Sequence, residues 1–356
     1  MRLLAIDVGA GTQDILLYDS YNEIGNAVKA VLPSQPKLLA AKVDKLTRLR
    51  KNIVVDGETM GGFPFARSIK KHLEAGFNVA MTPKAARTIR DNLDIVREMS
   101  IEIISDALVD KLEGEGYVRL RTGDLDLDAL ERAFAYFGIS IGSVDGIAVA
   151  VQDHGEAPKG ESERRFRFER LLRPGIEAGG RIEEFAFKTG QVLPEFTRMR
   201  AVARQITERG CDGLVMDTGP AVLFGALEDE ILKTKEYVGI LNFGNQHTLG
   251  GIIVKKRLMA IYEQHTGLMN GLKAKNDLLA LADGELPNEE VFKSGGHGAF
   301  TQEPIGSGNI EIIAILGPQK HKMNFSPLER LHHAAPFGDQ MMAGPAGLIA
   351  GAQKLL

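Results

Sequence analysis

LLAIDVGAGTQDILLYD (residues 3–19) reads as an apolar strand, a glycine turn and a returning strand. Glycine lets the backbone turn tightly and bring amide N–H groups against an anion, and the Thr12 hydroxyl can donate to the same oxygens. Asp7 ends the first strand, where a carboxylate can hold a magnesium ion through its waters. An ordinary glycine-rich hairpin has the same pattern, so the weight comes from a second copy. VGILNFGNQHTLGGIIV (238–254) again sets a buried strand, a polar side chain at its end (Asn242), a glycine turn (Gly244, Asn245) and a Thr (Thr248) before a second strand. Two such hairpins far apart in one chain predict two lobes, each offering a phosphate turn to a ligand between them.

Around these hairpins, strands alternate with amphipathic helices, the pattern of an α/β protein, and no internal repeat or long linker interrupts it. Leu39, Val43 and Leu46 recur at helical spacing over about 38–50. Short strands at 53–55, 77–81 and 101–104 and helices at about 65–75 and 84–98 form a small α/β unit. Asp128 and Glu131 have capping-box spacing before a helix that Gly138 ends. GIAVAV (146–151) and GLVMD (213–217) are buried strands, and a helix runs on from the second to about 230. From Tyr237, three antiparallel strands follow, then a helix at about 269–282, the strand IEIIAIL (310–316) and a Gly/Ala-rich helix at about 344–355.

At 356 residues the chain suits a large bilobal protein. A net charge of −4 offers no basic field for nucleic acid, and no apolar run approaches the ~20 residues that span a membrane. The opening strand meets an acid at Asp7 and does not read as a signal peptide. Cys211 is the single cysteine, which excludes a disulfide scaffold, a zinc ribbon and a cysteine-ligated iron–sulfur cluster within this chain. A reducing cytoplasm is the expected location.

In order along its length, the chain resembles the actin, Hsp70 and sugar-kinase ATPase superfamily. Asp7-x-Gly9-x-Gly11-Thr12-Gln13 is similar to its first phosphate motif and Asn242–Thr248 to its second. Residues 211–227, CDGLVMDTGPAVLFGAL, resemble its first hinge segment. Ile313-Ala-Ile-Leu-Gly317-Pro318 resembles its adenosine motif, and Gly344–Ala352 its second hinge helix. Within the superfamily, DGETMGG (56–62), VQDHGEAP (151–158) and RRFRFERLL (164–172) resemble DUF1786, an archaeal and bacterial family sometimes labelled pyruvate formate-lyase activating enzyme-related. Such activating enzymes are radical SAM proteins needing three cysteines, which this chain lacks.

The resemblance implies a bilobal actin-like (ribonuclease H-like) fold of mixed sheets. Lobe I would span 1–225 with α/β material inserted at about 56–195, and lobe II 226–356. It also implies ATP with Mg²⁺ in the cleft. Gly9, Gly11, Thr12 and Gln13 would face its phosphates from one side and Asn242, Gly244, Asn245 and Thr248 from the other; Asp7 would hold the metal through water, and Gly317 and Pro318 would border the nucleoside. The second motif usually carries Asp where Asn242 stands, and Pro318 replaces a glycine and removes one N–H. Asp217, at a strand end beside the hinge, is a candidate base, with a helix N-cap as the plain alternative. Asp56, Glu58, Asp153 and His154 are candidate substrate contacts or structural turn residues. The other histidines show no metal-ligand spacing, and Arg164, Arg165, Arg167 and Arg170 read as a solvated face over Phe166 and Phe168. The leading expectation is an ATPase whose lobe closure acts on a partner protein or enzyme, because the inserted region carries no recognisable sugar-binding motif; a small-molecule kinase and a nucleotide-binding protein with little turnover are the alternatives.

Overall fold

The computed structural model describes residues 1–324 and 331–356. Strand Arg2–Val8 sets the plan of lobe I. Leu3 and Ala5 enter one core and Leu4, Ile6 and Val8 another on the opposite face, so a strand covered on both sides reads as one apolar run. It pairs antiparallel with Thr12–Asp19, which pairs antiparallel with Val28–Pro33. On its other side Gly146–Val151 and then Asp212–Met216 add in parallel, and Ala186–Lys188 closes the edge antiparallel.

Lobe II repeats this order. Tyr237–Phe243 pairs antiparallel with His247–Val254, and that strand with Arg257–His265. Ile312–Leu316 and Leu331–His333 add in parallel on the other side, and Gly298–Thr301 lies at the far edge. Both sheets thus run third, second, first, fourth, fifth, with one extra edge strand apiece. This is the bilobal actin-like architecture that the resemblance implies. The repeat is one of topology, and the amino-acid sequence displays it only in the two glycine-turn hairpins. The lobe II range also takes in residues 325–330, which lie outside the described residues.

The inserted α/β unit is an all-parallel sheet of Glu102–Ile103, Val79–Met81, Ile53–Gly57 and Val118–Thr122. Helices Gln35–Arg48 and Phe65–Glu74 pack on it through Leu39, Val43, Phe65 and Ile69. It therefore occupies about 35–122 rather than 56–195, because Gly146–Val151 and Ala186–Lys188 belong to the lobe I sheet. The helix expected at 84–98 is broken into Pro83–Ala86 and Leu93–Glu98. The cap of helix Leu127–Ala135 is Asp126, which accepts from the Ala129 N–H at 3.0 Å, so the Asp128–Glu131 box is displaced. No helix among the described residues is long and apolar enough to cross a membrane.

Between the sheets, helices Thr218–Ala226 and Ala343–Leu355 cross within a core that both lobes share. A Cβ on Gly225 would overlap the Ala343 carbonyl, and one on Gly347 the Ala221 carbonyl. Glycine lets the two backbones touch. Gly225→Val is expected to lower unfolding stability by at least about 2 kcal/mol through overpacking against backbone. Gly190→Ala, with nothing within 4 Å of its Cβ, should change it by less than about 0.5 kcal/mol. Urea denaturation of both variants checks the pair, and equal stability would refute the crossing.

Candidate functional site

Each lobe ends its first strand in a turn closed the same way. The Gly9 N–H donates to the Thr12 carbonyl at 2.8 Å, and the Gly244 N–H to the His247 carbonyl at 2.9 Å. Among the described residues the amides of Ala10, Gly11, Asn245 and Gln246 make no hydrogen bond, which leaves four N–H groups at the turns for an anion. The turns meet across a cleft of about 540 Å³. A Cβ on Gly11 would lie 2.8 Å from the Asn245 Nδ2.

Asp7 lies opposite Asp14 in the antiparallel register, and both carboxylates are buried in the cleft wall. Burial, then the neighbouring charge of Asp7, pushes the Asp14 carboxyl up to about 8. Burial likewise raises Asp7 to about 7, against a hydrogen bond from Thr218 Oγ1 at 3.0 Å. Asp7 also abuts the first turn of helix Ala343–Leu355, since a Cβ on Gly344 would overlap its Oδ2. Asp14 Oδ1 has no hydrogen-bond partner. Two facing buried carboxylates, one with an orphaned oxygen, fit a hydrated magnesium ion.

Thr12, Asn242, Gly244, Asn245 and Pro318 also line the cleft. Gln13 does not: it donates from Nε2 to the Pro33 carbonyl at 3.0 Å. Thr248 is fully buried against Thr266. Gly317, at φ +98°, shapes the turn after its strand without lining the cleft. Asp217 is the N-cap of helix Thr218–Ala226 through the Gly219 N–H, and Arg167 grips both its oxygens at 2.9 and 2.6 Å. Fully buried and so held, it stands behind the cleft wall rather than in it. Asp56 pairs with Arg119, and Glu58 with Lys84 and Arg204; neither reaches the cleft.

Asp153 and His154 do reach it. Asp153 accepts from the N–H groups of Gly155 and Met199, yet burial raises its carboxyl to about 7. Burial, then Arg167 and His247, lowers His154 to about 3 and keeps its ring neutral. Beside them Arg198 clamps Asp124 through Nε and Nη2 at 2.7 and 2.9 Å, and Asp124 takes the Gly61 N–H. Arg87, Arg90 and Gly62 of the inserted unit continue this polar wall.

Two features depart from the sequence reading. Arg167 is not on a solvated face: it is buried and joins Asp217 of lobe I to Glu263 of lobe II, with Nη1 2.5 Å from Glu263 Oε2. Its neighbours Phe166 and Phe168 are buried as expected. Far apart in sequence, His247, His265 and His297 are brought together at the cleft, each offering a ring nitrogen within 4.8 Å of the others. His332 instead pairs with Asp229. The three-strand reading from Tyr237 held a partial signal, because His247 and His265 face one another in that hairpin register.

A family model described as "Putative pyruvate format-lyase activating enzyme (DUF1786)" matches residues 60–322. No curated protein matches the chain. Among solved structures it is similar to a Listeria monocytogenes protein described as "a putative N-acetylmannosamine kinase", at 12% identity over 99% of each chain with a TM-score of 0.37. It is also similar to a ROK family glucokinase from Streptomyces griseus, at 11% identity over 99% of each chain and a TM-score of 0.35. The apo ParM protein of psk41 is 12% identical over 99% of this chain and 98% of its own, with a TM-score of 0.32. The fold assignment rests on the strand order of the two sheets.

The raised carboxyl of Asp14 makes a pH test. Its proton is held in the folded protein up to about pH 8 but in the unfolded chain only to about pH 4. The stability it contributes is therefore present at acid pH and falls as pH rises through that window. Asp14→Asn should flatten the decline in Tm between pH 5 and pH 9 in metal-free buffer. A decline as steep as in the parent chain would show that Asp14 titrates normally.

Proposed function

The chain belongs to the DUF1786 family, and on that premise we propose that it is a nucleotide-dependent phosphotransferase working on a small polar acceptor in the cleft between its lobes. One observation carries the reading: a single cleft of about 540 Å³ runs from the two phosphate turns to the polar wall of the inserted unit. That volume falls in the range of small-molecule sites. A partner-driven ATPase has no need of such a wall beside its phosphates.

The residues fit Mg-ATP. The turn amides and Thr12 would hold phosphate oxygens, Asp7 and Asp14 would hold the hydrated ion, and Asn242 would orient one of its waters. When bound, the ion supplies charge neutralisation to the transferred phosphoryl group, the main requirement of this chemistry. Asn242 contributes an amide dipole where a carboxylate would repel phosphate, which suits a site that positions more than it hydrolyses. Arg87 already pairs with Glu156 and Asp91, and Arg198 with Asp124, so Arg90 is the cation of this wall that favours an acceptor with a carboxylate or phosphate group. Among the described residues Arg90 has no carboxylate partner. Asp153, raised to about 7, is matched to accept a proton near neutral pH.

The family description points elsewhere, to activation of a radical enzyme. A cysteine-ligated 4Fe–4S cluster does not fit this chain, whose one cysteine, Cys211, lies away from the cleft.

Thermal-shift titrations with ATP and ADP test the binding half of the reading. A ligand at ~100 times its Kd stabilises the folded state by about 2.7 kcal/mol. Asp7→Asn is expected to keep a metal-free ADP shift and lose the magnesium-dependent increment. Asp153→Asn should keep both shifts and reduce acceptor-dependent ADP release by roughly 100-fold. No shift with any nucleotide would overturn the proposal. ADP release that no small acidic acceptor stimulates would overturn the transfer step alone.

A further inference from the structure

The lobe II wall holds chemistry that magnesium and phosphate do not use. His247 begins the strand that leaves the second phosphate turn, and His265 faces it across the hairpin. His297 arrives on a separate loop, held by its own N–H on the Glu263 carbonyl at 2.9 Å. Arg164 pins the same loop through the carbonyls of Gly295 and Gly296, and Gln264 Nε2 donates to Ser294 Oγ at 2.6 Å. Two strands of one hairpin and a separate loop thus converge their imidazoles, with ring centroids 4.7 to 5.5 Å apart.

His297 is the telling member. It is 1% exposed, and both its ring nitrogens are buried without a hydrogen-bond partner. A polar ring in that position is destabilising unless something satisfies it. Glu263 Oε1 lies 3.5 Å from His297 Nδ1 and 3.8 Å from His247 Nδ1, and makes no hydrogen bond to the His297 ring. Glu263 Oε1 instead accepts from Gln152 Nε2 at 2.7 Å, and its other oxygen is taken by Arg167. One buried carboxylate facing two imidazoles is the outer shell that metal-bound histidines commonly have. Arg167 does not spoil the site for a cation, because its one positive charge stands against the two carboxylates of Asp217 and Glu263.

We propose that His247, His265 and His297 bind one zinc-class divalent ion at the cleft, leaving a coordination position open toward it. An all-imidazole set selects borderline metals over magnesium or calcium, which prefer oxygen. Three histidines with an open fourth position is a zinc arrangement found where the ion meets a ligand. Zinc–nitrogen bonds of about 2.0–2.1 Å require the three ligand atoms to close by roughly an ångström on binding. All three rings line the same cleft as the phosphate turns, and His154 of lobe I faces His297 at a centroid distance of 5.2 Å. The open position therefore points where an oxygen of the cleft's ligand would come. The site stands whether or not that ligand is a nucleotide.

The test uses the full chain stripped with chelator and passed through a desalting column. Cobalt(II) is titrated with visible absorption, and zinc by calorimetry in excess Mg²⁺. The expected result is one ion per chain, cobalt ligand-field bands, and a zinc-dependent rise in Tm that magnesium does not reproduce. His265→Ala alters a partly exposed ring, so the chain should fold with the parent's metal-free Tm. It should weaken zinc by more than about tenfold, since losing even an outer partner of a ligand costs 10–100-fold. His297→Ala should do the same and, having removed an unpartnered buried ring, should not lower the metal-free Tm. Zinc binding undiminished in both variants, absence of cobalt bands, or displacement of zinc by magnesium would each overturn the proposal.

Discussion

A guanidinium buried between two carboxylates holds the centre of this molecule. Arg167 comes from a short helix of lobe I, Asp217 from the end of a lobe I strand, and Glu263 from a lobe II strand. Removing such charges from water costs several kcal/mol per ion, so the arrangement persists only where geometry satisfies each oxygen and N–H. Asp217 caps a hinge helix with the same carboxylate, and Glu263 faces the histidines with its other oxygen. The position of one side chain thereby couples the hinge, the cleft floor and the imidazole cluster. The helix carrying Arg167 runs into a π-helical turn at Phe168–Leu172, a local widening often found where a side chain must be re-aimed.

The crossing of the two hinge helices complements this polar centre with an apolar one. Their glycines remove the side-chain layer that normally separates packed helices by 8–10 Å. Asp7 lies against the start of one helix and accepts from Thr218 at the start of the other. Both helix N-termini thus favour negative charge where burial disfavours it. A bound cation would tip that balance toward the carboxylate.

Much of the fold is legible in the amino-acid sequence because its central strands are covered on both faces. Runs such as Leu3–Ile6, Ile147–Val151 and Leu214–Met216 need no alternation to be recognised, and glycine turns bound them. Edge strands are not legible. Val28–Pro33 is half-exposed along its length, and Ala186–Lys188, Gly298–Thr301 and Leu331–His333 are three or four residues long. Nothing local distinguishes them from loops, and without them the twofold topology stays hidden. The inserted unit is misplaced for a related reason: helix Gln35–Arg48 is plain by its periodicity, but only the shared core with Ile53 and Phe65 assigns it.

The site divides in the same way. Turn residues announce themselves because glycine is required where they stand. Arg167 and the three histidines do not, since a basic cluster looks solvated until one member is seen to be enclosed. His247 and His265 depend on hairpin register, and His297 on a loop that returns from beyond another helix. Residues whose meaning comes from their neighbours in sequence were readable, and those whose meaning comes from neighbours in space were not.

The near-contact of Gly11 with Asn245 has a kinetic consequence. With the two glycine turns almost touching, the cleft has little clearance at that point for an anion to slip past. Parting of the lobes would widen that point, and the buried Arg167 triad and the Gln152–Glu263 contact resist such parting. An anion seated between the turns would then leave more slowly the more firmly those contacts hold the lobes together.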